Sequence, residues 1–525
     1  MGKSGDEVVL VGAIDQGTSS SRFLVFTLDA LKKGEGPVCS SNVELKVQYP
    51  EPGWAESDAE KIYESVVESI EEVSLQLENL GHNLNQLSCV GVTNQRETTL
   101  VWNRKTGEAY APAISWQDGR SRDIIEHFKQ REVQAEIRDS LLDGGNIHGK
   151  TGLVMSEYSC CSKLAWLLKH NEKLKNDLEN ESEKGNVLFG TVDVWLLWKL
   201  TKGREFSTDV SNASRTNFMS LHTLDWDAKI IEFFQIHPNI SFPVIKSNSE
   251  DFGTISSIKT LEGVPITGCM GDQHASLVGH HCFEVGQTKN TYGTGLFLLT
   301  NIGNELKFSK KGVLTTIGYQ FGKNEKPCFA MEGAIASGGS AIRWLRDSLG
   351  LISSTDEVEW VASQVEDSGG VYFVPAFSGL FTPYWDSTAR AIICGMSHTS
   401  NRRHIARAVL DSLCYQTRDV LDTISEDSGL RLQELRVDGG ASLNNLLMQT
   451  QANILNMPII RPASVELTAY GAALAAAFGA QLMKSIADVK ISERKTVFSP
   501  KIDQDACDKM YELWKKAVNK SQNWL

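Results

Sequence analysis

The chain has 525 residues, a length that by itself points to about three to four domains. Hydrophobic residues make up 41% and charged residues 22%, near globular averages, which excludes wholesale disorder. Lys and Arg number 52 against 65 Asp and Glu, a net charge of −13, which excludes a general nucleic-acid or anionic-membrane binder.

The N-terminus is charged and lacks a long apolar stretch, so it makes a poor secretory signal. Gly2 begins a myristoylation-like start, but Asp6 stands where Ser or Thr is wanted. Residues 8–14 and 22–28 are apolar and predict a β-hairpin. Its tip, Asp15-Gln16-Gly17-Thr18-Ser19-Ser20-Ser21, is built of small hydroxyls and glycine. Ser57-Asp58-Ala59-Glu60 reads as a capping box opening a helix with Ile62, Val66, Ile70, Val73 and Leu77 on one face and Gly81 at its end. Residues 87–93 and 98–103 predict strands. Residues 130–200 read as mostly helical, interrupted by a polar, solvated loop over 173–186. A strand over 263–270 leads into Gly271-Asp272-Gln273-His274 and a helix reaching His280-His281.

The opening pattern then returns. Residues 288–294 form a strand and a turn, Tyr292-Gly293-Thr294-Gly295, and 296–300 are apolar again. A later strand over 435–437 runs into Asp438-Gly439-Gly440-Ala441-Ser442 and a helix. The recurrence suggests an internal duplication. It gives two α/β lobes, 1–283 and 284–525, with the boundary near 283–286. The Ala/Gly-rich run 469–480 is too short to span a bilayer and predicts a buried helix. Residues 509–524 predict a surface-docked helix with Met510, Trp514 and Val518 at helical spacing; contact with an organelle is the alternative. The 10 cysteines are scattered without a C-x-x-C pair, which disfavours a disulfide framework or zinc ribbon and fits a reducing compartment.

Glycine lets a backbone approach a ligand closely, and consecutive N–H groups form an anion-binding concavity. One such turn is an ordinary hairpin tip; three of them in two lobes point to bound phosphates. Asp15, opening the first turn, suits Mg²⁺ held through water. A P-loop is not expected, nor is the protein-kinase motif set. Arg96 and Glu97 can fork around two hydroxyls of a polyol, a solvated ion pair being the alternative. Trp116 offers an aromatic face to polyol carbons, and the other tryptophans read as core. Asp272, between strand and helix, is either an N-cap or a catalytic base at a strand's carboxyl end, with His274 competing for the second role.

The stretches AIDQGTSSSR (13–22), EPGWAESD (51–58), GVTNQRET (91–98), SWQDGR (115–120), GDQHASLVG (271–279), KNTYGTG (289–295) and RVDGGASLNN (436–445) together resemble the FGGY carbohydrate kinases, and within them those acting on glycerol. The resemblance runs over about 9–479. It implies an α/β, two-lobed actin- and hexokinase-like ATPase fold with a duplicated ribonuclease-H-like core and a central cleft. It also implies transfer of the γ-phosphoryl group of ATP to glycerol, giving sn-glycerol 3-phosphate and ADP, the first step of glycerol utilisation and a supply for glycerolipid synthesis. By that likeness Arg96, Glu97, Tyr158, Asp272 and Gln273 bind glycerol, Trp116 and Phe297 pack on its carbons, and Asp272 is the base. Thr18, Ser19, Ser20, Arg22, Gly293, Thr294, Gly339, Gly440 and Asn444 hold ATP, and Asp15 lies near Mg²⁺. Cys160 departs from the family's usual Pro, Ser or Thr, and Arg343 replaces a Gln common in bacterial members. The expected setting is cytoplasmic with peripheral mitochondrial association as a variant. The expected assembly is a homodimer or homotetramer, with no nucleic-acid partner and no transmembrane segment. The alternative readings are a kinase for another small polyol or ketose, an ATP-driven chaperone or filament protein, and a catalytically dead relative.

Overall fold

The computed structural model describes residues 8–180, 184–464, 466–490 and 494–525. Gly2 and Asp6 lie outside them. The first hairpin forms as its composition dictates: β1 (Leu10–Gln16) pairs antiparallel with β2 (Ser20–Thr27), and both bury runs of apolar residues. Helix α1 (Ala59–Asn79) covers this hairpin and buries Ile62, Val66, Ile70, Val73 and Leu77. Its cap is Asp58, which accepts from the amides of Glu60 and Lys61, rather than the Ser57 box expected from spacing. β3 (Leu87–Asn94) lies parallel to β1, and beyond β3 a further parallel strand, β4 (Ile266–Gly271), completes one side of the sheet. Short strands at Cys39–Ser40 and Val43–Glu44 pair antiparallel with β2.

The second lobe repeats this plan. β5 (Thr288–Tyr292) and β6 (Leu296–Gly303) form an antiparallel hairpin, and β7 (Cys328–Ile335) pairs antiparallel with β6. β8 (Leu435–Asp438) lies parallel to β5, and β9 (Ile459–Pro462) parallel to β8. The order β4-β3-β1-β2 in one sheet is matched by β9-β8-β5-β6 in the other, with the same strand directions. The duplication read from two glycine turns is therefore a duplication of topology. The second sheet adds Leu314–Tyr319 and Lys495–Phe498 at its two edges.

Two helices tie the lobes. α2 (Asp272–Gly279) follows β4, and α3 (Leu467–Gly479), reached only after the whole second sheet, packs against α2 and across β4, β3 and β1. The Ala/Gly composition of α3 is what permits this. A Cβ on Gly471 would lie 1.9 Å from the Ala275 carbonyl oxygen, and one on Gly91 of β3 would lie 2.1 Å from that of Ala472.

Three local expectations are corrected. The segment read as a solvated loop over 173–186 contains a helix, Glu172–Glu179, because Asn171 caps the Leu174 amide and Leu174 and Leu178 bury one face; residues 181–183 lie outside the described residues. A strand, Val187–Gly190, interrupts the region read as helical. Not every remaining tryptophan is core: Trp360 and Trp524 are 57% and 61% exposed, whereas Trp102, Trp195 and Trp514 are fully buried. Among the described residues no helix is long and apolar enough to cross a membrane.

Candidate active site

The carboxyl ends of β1, β3 and β4 in one lobe face those of β5 and β8 in the other, the place where open α/β sheets bind ligands. Between them lies a cleft of about 480 Å³. The structure brings together in it Asp15, Thr18, Ser19, Ser20, Arg22, Arg96, Glu97, Trp116, Tyr158, Asp272, Gln273, Gly293, Thr294, Phe297 and Gly440. Gly339 and Asn444 line an adjoining cavity of about 710 Å³ that shares Gly293, Thr294, Gly440 and Arg343 with the cleft.

The polyol-type end is held by buried charge. Glu97 takes φ 60°, a left-handed conformation that a non-glycine residue adopts at a cost. Its neighbour Arg96 donates from both terminal nitrogens to the two carboxylate oxygens of Glu332, at 2.6 and 2.9 Å, and from Nε to Asp272 Oδ1 at 3.0 Å. Glu97 instead accepts from Arg215 Nε at 2.6 Å. Arg96 and Glu97 are 2% and 1% exposed, so the solvated-pair reading fails. Burial is the largest influence on Glu332 and raises its carboxyl, but Arg215 and Arg96 outweigh it and leave the group at about 2. Two guanidiniums are thus balanced by Glu97 and Glu332, and Asp272 is left as the additional carboxylate.

Glu332 and Arg215, the charged partners of Arg96 and Glu97, are residues of the site that spacing did not find. Neither did it find Lys163, which donates to the carbonyls of Tyr158 and Glu97 at 2.5 and 3.3 Å and so pins the two chain segments lining the pocket. Cys160 also reaches the Glu97 carbonyl, with its Sγ 3.4 Å from that oxygen. Trp116 meets Phe297 and Tyr158 edge-on, with ring centroids 5.6 and 6.0 Å apart, and donates from its indole to Thr18 Oγ1 at 2.8 Å. The loop carrying Trp116 is clamped from behind: Asp118 accepts the Ala55 amide, and Arg120 binds Asp118 and Glu56 while lying over the Trp54 ring.

Asp272 is the first residue of α2, and its side chain is not the N-cap; Gly271 holds that position. Asp272 Oδ1 accepts from Arg96 and from the Gln273 amide, while its second oxygen accepts no hydrogen bond among the described residues. His274 does not compete as a base. It is fully buried behind the cleft against Thr316, and burial, helped by Arg96, lowers its pKa well below the ordinary value, keeping it neutral.

The phosphate-type end is a pair of equivalent turns. The Gly17 amide donates to the Ser20 carbonyl, and that of Gly293 to Gly295. Gly339 pins the second turn by donating to the Gly293 carbonyl, an approach too close for a side chain, since a Cβ there would lie 2.8 Å from that oxygen. Arg343 donates to Thr294 Oγ1, which places the departing residue beside the second glycine turn. Arg22 pairs with Glu466 at 2.8 Å, both half-exposed. Asp15 accepts no hydrogen bond among the described residues. Burial raises its carboxyl to about 7; Arg22 opposes this, and Glu466, Asp272 and Asp438 add to it. An unpartnered carboxylate in such a surplus of negative charge fits a hydrated divalent cation.

One string, Gly144-Gly145-Asn146-Ile147-His148-Gly149-Lys150-Thr151, does have P-loop spacing, contrary to the expectation that none occurs. It is not a phosphate cradle. Helix Ile147–Thr151 carries it with no strand leading in, Lys150 pairs with Asp143 and Asp227, and Thr151 is buried against Asn217.

A duplicated, hairpin-led α/β fold closing on glycine turns and a buried polyol-type pocket defines an ATP-dependent small-molecule kinase. The chain belongs to the FGGY family of carbohydrate kinases: the family's N-terminal domain matches residues 10–279 and its C-terminal domain residues 288–480. It is 44% identical to a glycerol kinase of Pseudarthrobacter chlorophenolicus and 43% identical to one of Pseudothermotoga lettingae, in each case over 98% of both chains. Its structure is similar to a crystal structure of Plasmodium falciparum glycerol kinase with ADP, with a TM-score of 0.84 at 33% identity over 98% of each chain. A xylulose kinase from Lactobacillus acidophilus shares the fold, with a TM-score of 0.82 at 19% identity over 98% of each chain.

Proposed function

We propose that this chain transfers the γ-phosphoryl group of ATP to glycerol, giving sn-glycerol 3-phosphate and ADP. The observation that carries the reading is the unoccupied acceptor oxygen of Asp272. It lies where the pocket of Arg96, Glu97, Trp116, Tyr158 and Phe297 meets the two glycine turns. The kinship with glycerol kinases over nearly the whole chain supports it.

Phosphoryl transfer needs positioning and charge neutralisation more than covalent chemistry. Arg96 and Glu97 present a donor and an acceptor to glycerol hydroxyls, and Trp116 and Phe297 cover its carbons. Asp272 accepts the proton of the attacking terminal hydroxyl as the bond to phosphorus forms. Thr18, Ser19, Ser20, Gly293, Thr294 and Gly440 receive the phosphates, and Gly339, Asn444 and Arg343 line the cavity for the rest of the nucleotide. Asp15 would hold Mg²⁺, which when bound neutralises phosphate charge. Closure of the lobes excludes water and protects ATP from hydrolysis. The free cysteines, nearly all buried, support a cytoplasmic setting, and a homodimer or homotetramer is the assembly to test by light scattering.

Coupled ADP release with and without glycerol tests the reaction, with dihydroxyacetone and pentuloses as competing acceptors. Glycerol should give the highest kcat/KM; a pentulose in first place would replace glycerol as substrate. Asp272→Asn should lower kcat by at least about a hundredfold, and near-normal turnover in that variant would remove Asp272 as the base.

A further inference from the structure

Gln273 lines the cleft beside Asp272, and a carboxamide can enter a site either way round, offering its N–H₂ or its oxygen. Lys289 removes that choice. It sits on β5, fully buried and outside the cleft lining, and its ammonium donates to Gln273 Oε1 and, at 3.0 Å, to Thr291 Oγ1. An ammonium has donors only, so the oxygen of Gln273 must face Lys289. Gln273 Nε2 then has no partner among the described residues and is the atom offered to the cleft.

The pairing is a costly one to keep. A buried cation is destabilising unless compensated, and Lys289 makes no direct ion pair among the described residues; Asp438, Glu332 and Asp272 act on it only through space. Burial accordingly pushes its pKa down to about 8, with Asp438 the chief opposing influence and Arg96 acting with burial. An apolar side chain of similar length would fill the same space without this cost, which argues for a role beyond packing.

We propose that Lys289 is a positioning residue that locks Gln273 as a hydrogen-bond donor to the acceptor substrate. The site thereby selects a polyol with an accepting hydroxyl oxygen at that point. The inference rests on glycerol being the substrate.

The test is Lys289→Met, assayed with ATP against glycerol and its two deoxy relatives, propane-1,2-diol and propane-1,3-diol. In the wild type one diol, lacking the hydroxyl that meets Gln273, should be discriminated against. In the variant KM for glycerol should rise by about tenfold, the loss of one hydrogen bond, and the glycerol-to-diol preference should fall by the same factor, with KM for ATP unchanged. Gln273→Met, which removes the donor from the cleft at similar length, should lose the same preference and stands in if the first variant does not fold. Equal losses on glycerol and both diols, or a preserved preference in either folded variant, would overturn the role of Lys289. Wild-type protein that does not turn over glycerol would instead overturn the proposed function, and this inference with it.

Discussion

Glu332 shows how a residue remote in sequence governs a site. It enters from β7 of the second lobe and grips Arg96 of the first, 236 positions away in the chain, while also lying 3.4 Å from Arg215. Glu332→Gln keeps the shape and removes the charge, leaving two buried guanidiniums facing one fewer carboxylate. Removing one member of a buried ion pair costs on the order of 3 kcal/mol, so the variant should unfold at lower denaturant concentration. Its KM for glycerol should rise as Arg96 loses its orientation, with KM for ATP little altered. The sign of the pH dependence follows from the depressed carboxyl, at about 2 against an ordinary 4.5. The ionised pair contributes fully above pH 4.5 and is lost as pH falls toward 2, so the stability gap between wild type and variant should narrow over that window. A gap independent of pH would mean that packing, not charge, explains the loss. Nothing local announces Glu332. A lone acidic residue in an otherwise apolar strand, AMEGAI, is the one trace the sequence carries, and its meaning depends on a partner in the other lobe. Arg96, Glu97 and Asp272 were legible because turn residues and strand ends flank them.

Elements with one buried face were legible where periodicity was strong. The C-terminal helix, Gln504–Ser521, is docked as its Trp514 and Val518 spacing predicts. Its anchor could not be read from spacing, because Asp419 lies on a distant helix, Arg402–Ser428. That carboxylate accepts from Tyr511 Oη at 2.6 Å and Trp514 Nε1 at 2.9 Å, all three buried. The helix Glu172–Glu179 was missed for the converse reason: its apolar face is only Leu174 and Leu178, too thin to rise above a polar composition. Trp514→Phe should keep most of the packing but strip one donor from Asp419. A buried acceptor deprived of a partner costs about 1–3 kcal/mol, a loss that thermal unfolding would register as a lowered Tm without a change in KM for either substrate. An unchanged Tm would mean that Tyr511 and Tyr384 together satisfy Asp419.

At the scale of the whole molecule, the two lobes are joined by a chain that returns. The helix Leu467–Gly479 follows the second sheet in sequence yet covers the first, so neither lobe's core is complete without the other half of the chain. This contact puts two classes of glycine in opposition. Gly471 has no space for a side chain, because the Ala275 carbonyl already occupies it at 1.9 Å from an added Cβ. Gly440, on the cleft, would meet nothing within 4 Å, and its backbone is not in the left-handed region. The protein fills the first space; the second opens on the cleft proposed for the nucleotide. Gly471→Ala should therefore force the returning helix off Asp272–Gly279, the helix that begins with the proposed base. Overpacking of this kind costs about 1–3 kcal/mol and should lower Tm and kcat together. Gly440→Ala should leave stability within about 0.5 kcal/mol of wild type, as open surface sites do, and raise KM for ATP alone. Calorimetry and initial-rate kinetics on the two variants separate these outcomes. If Gly440→Ala lowered Tm as much as Gly471→Ala did, its glycine would be serving the fold rather than the nucleotide.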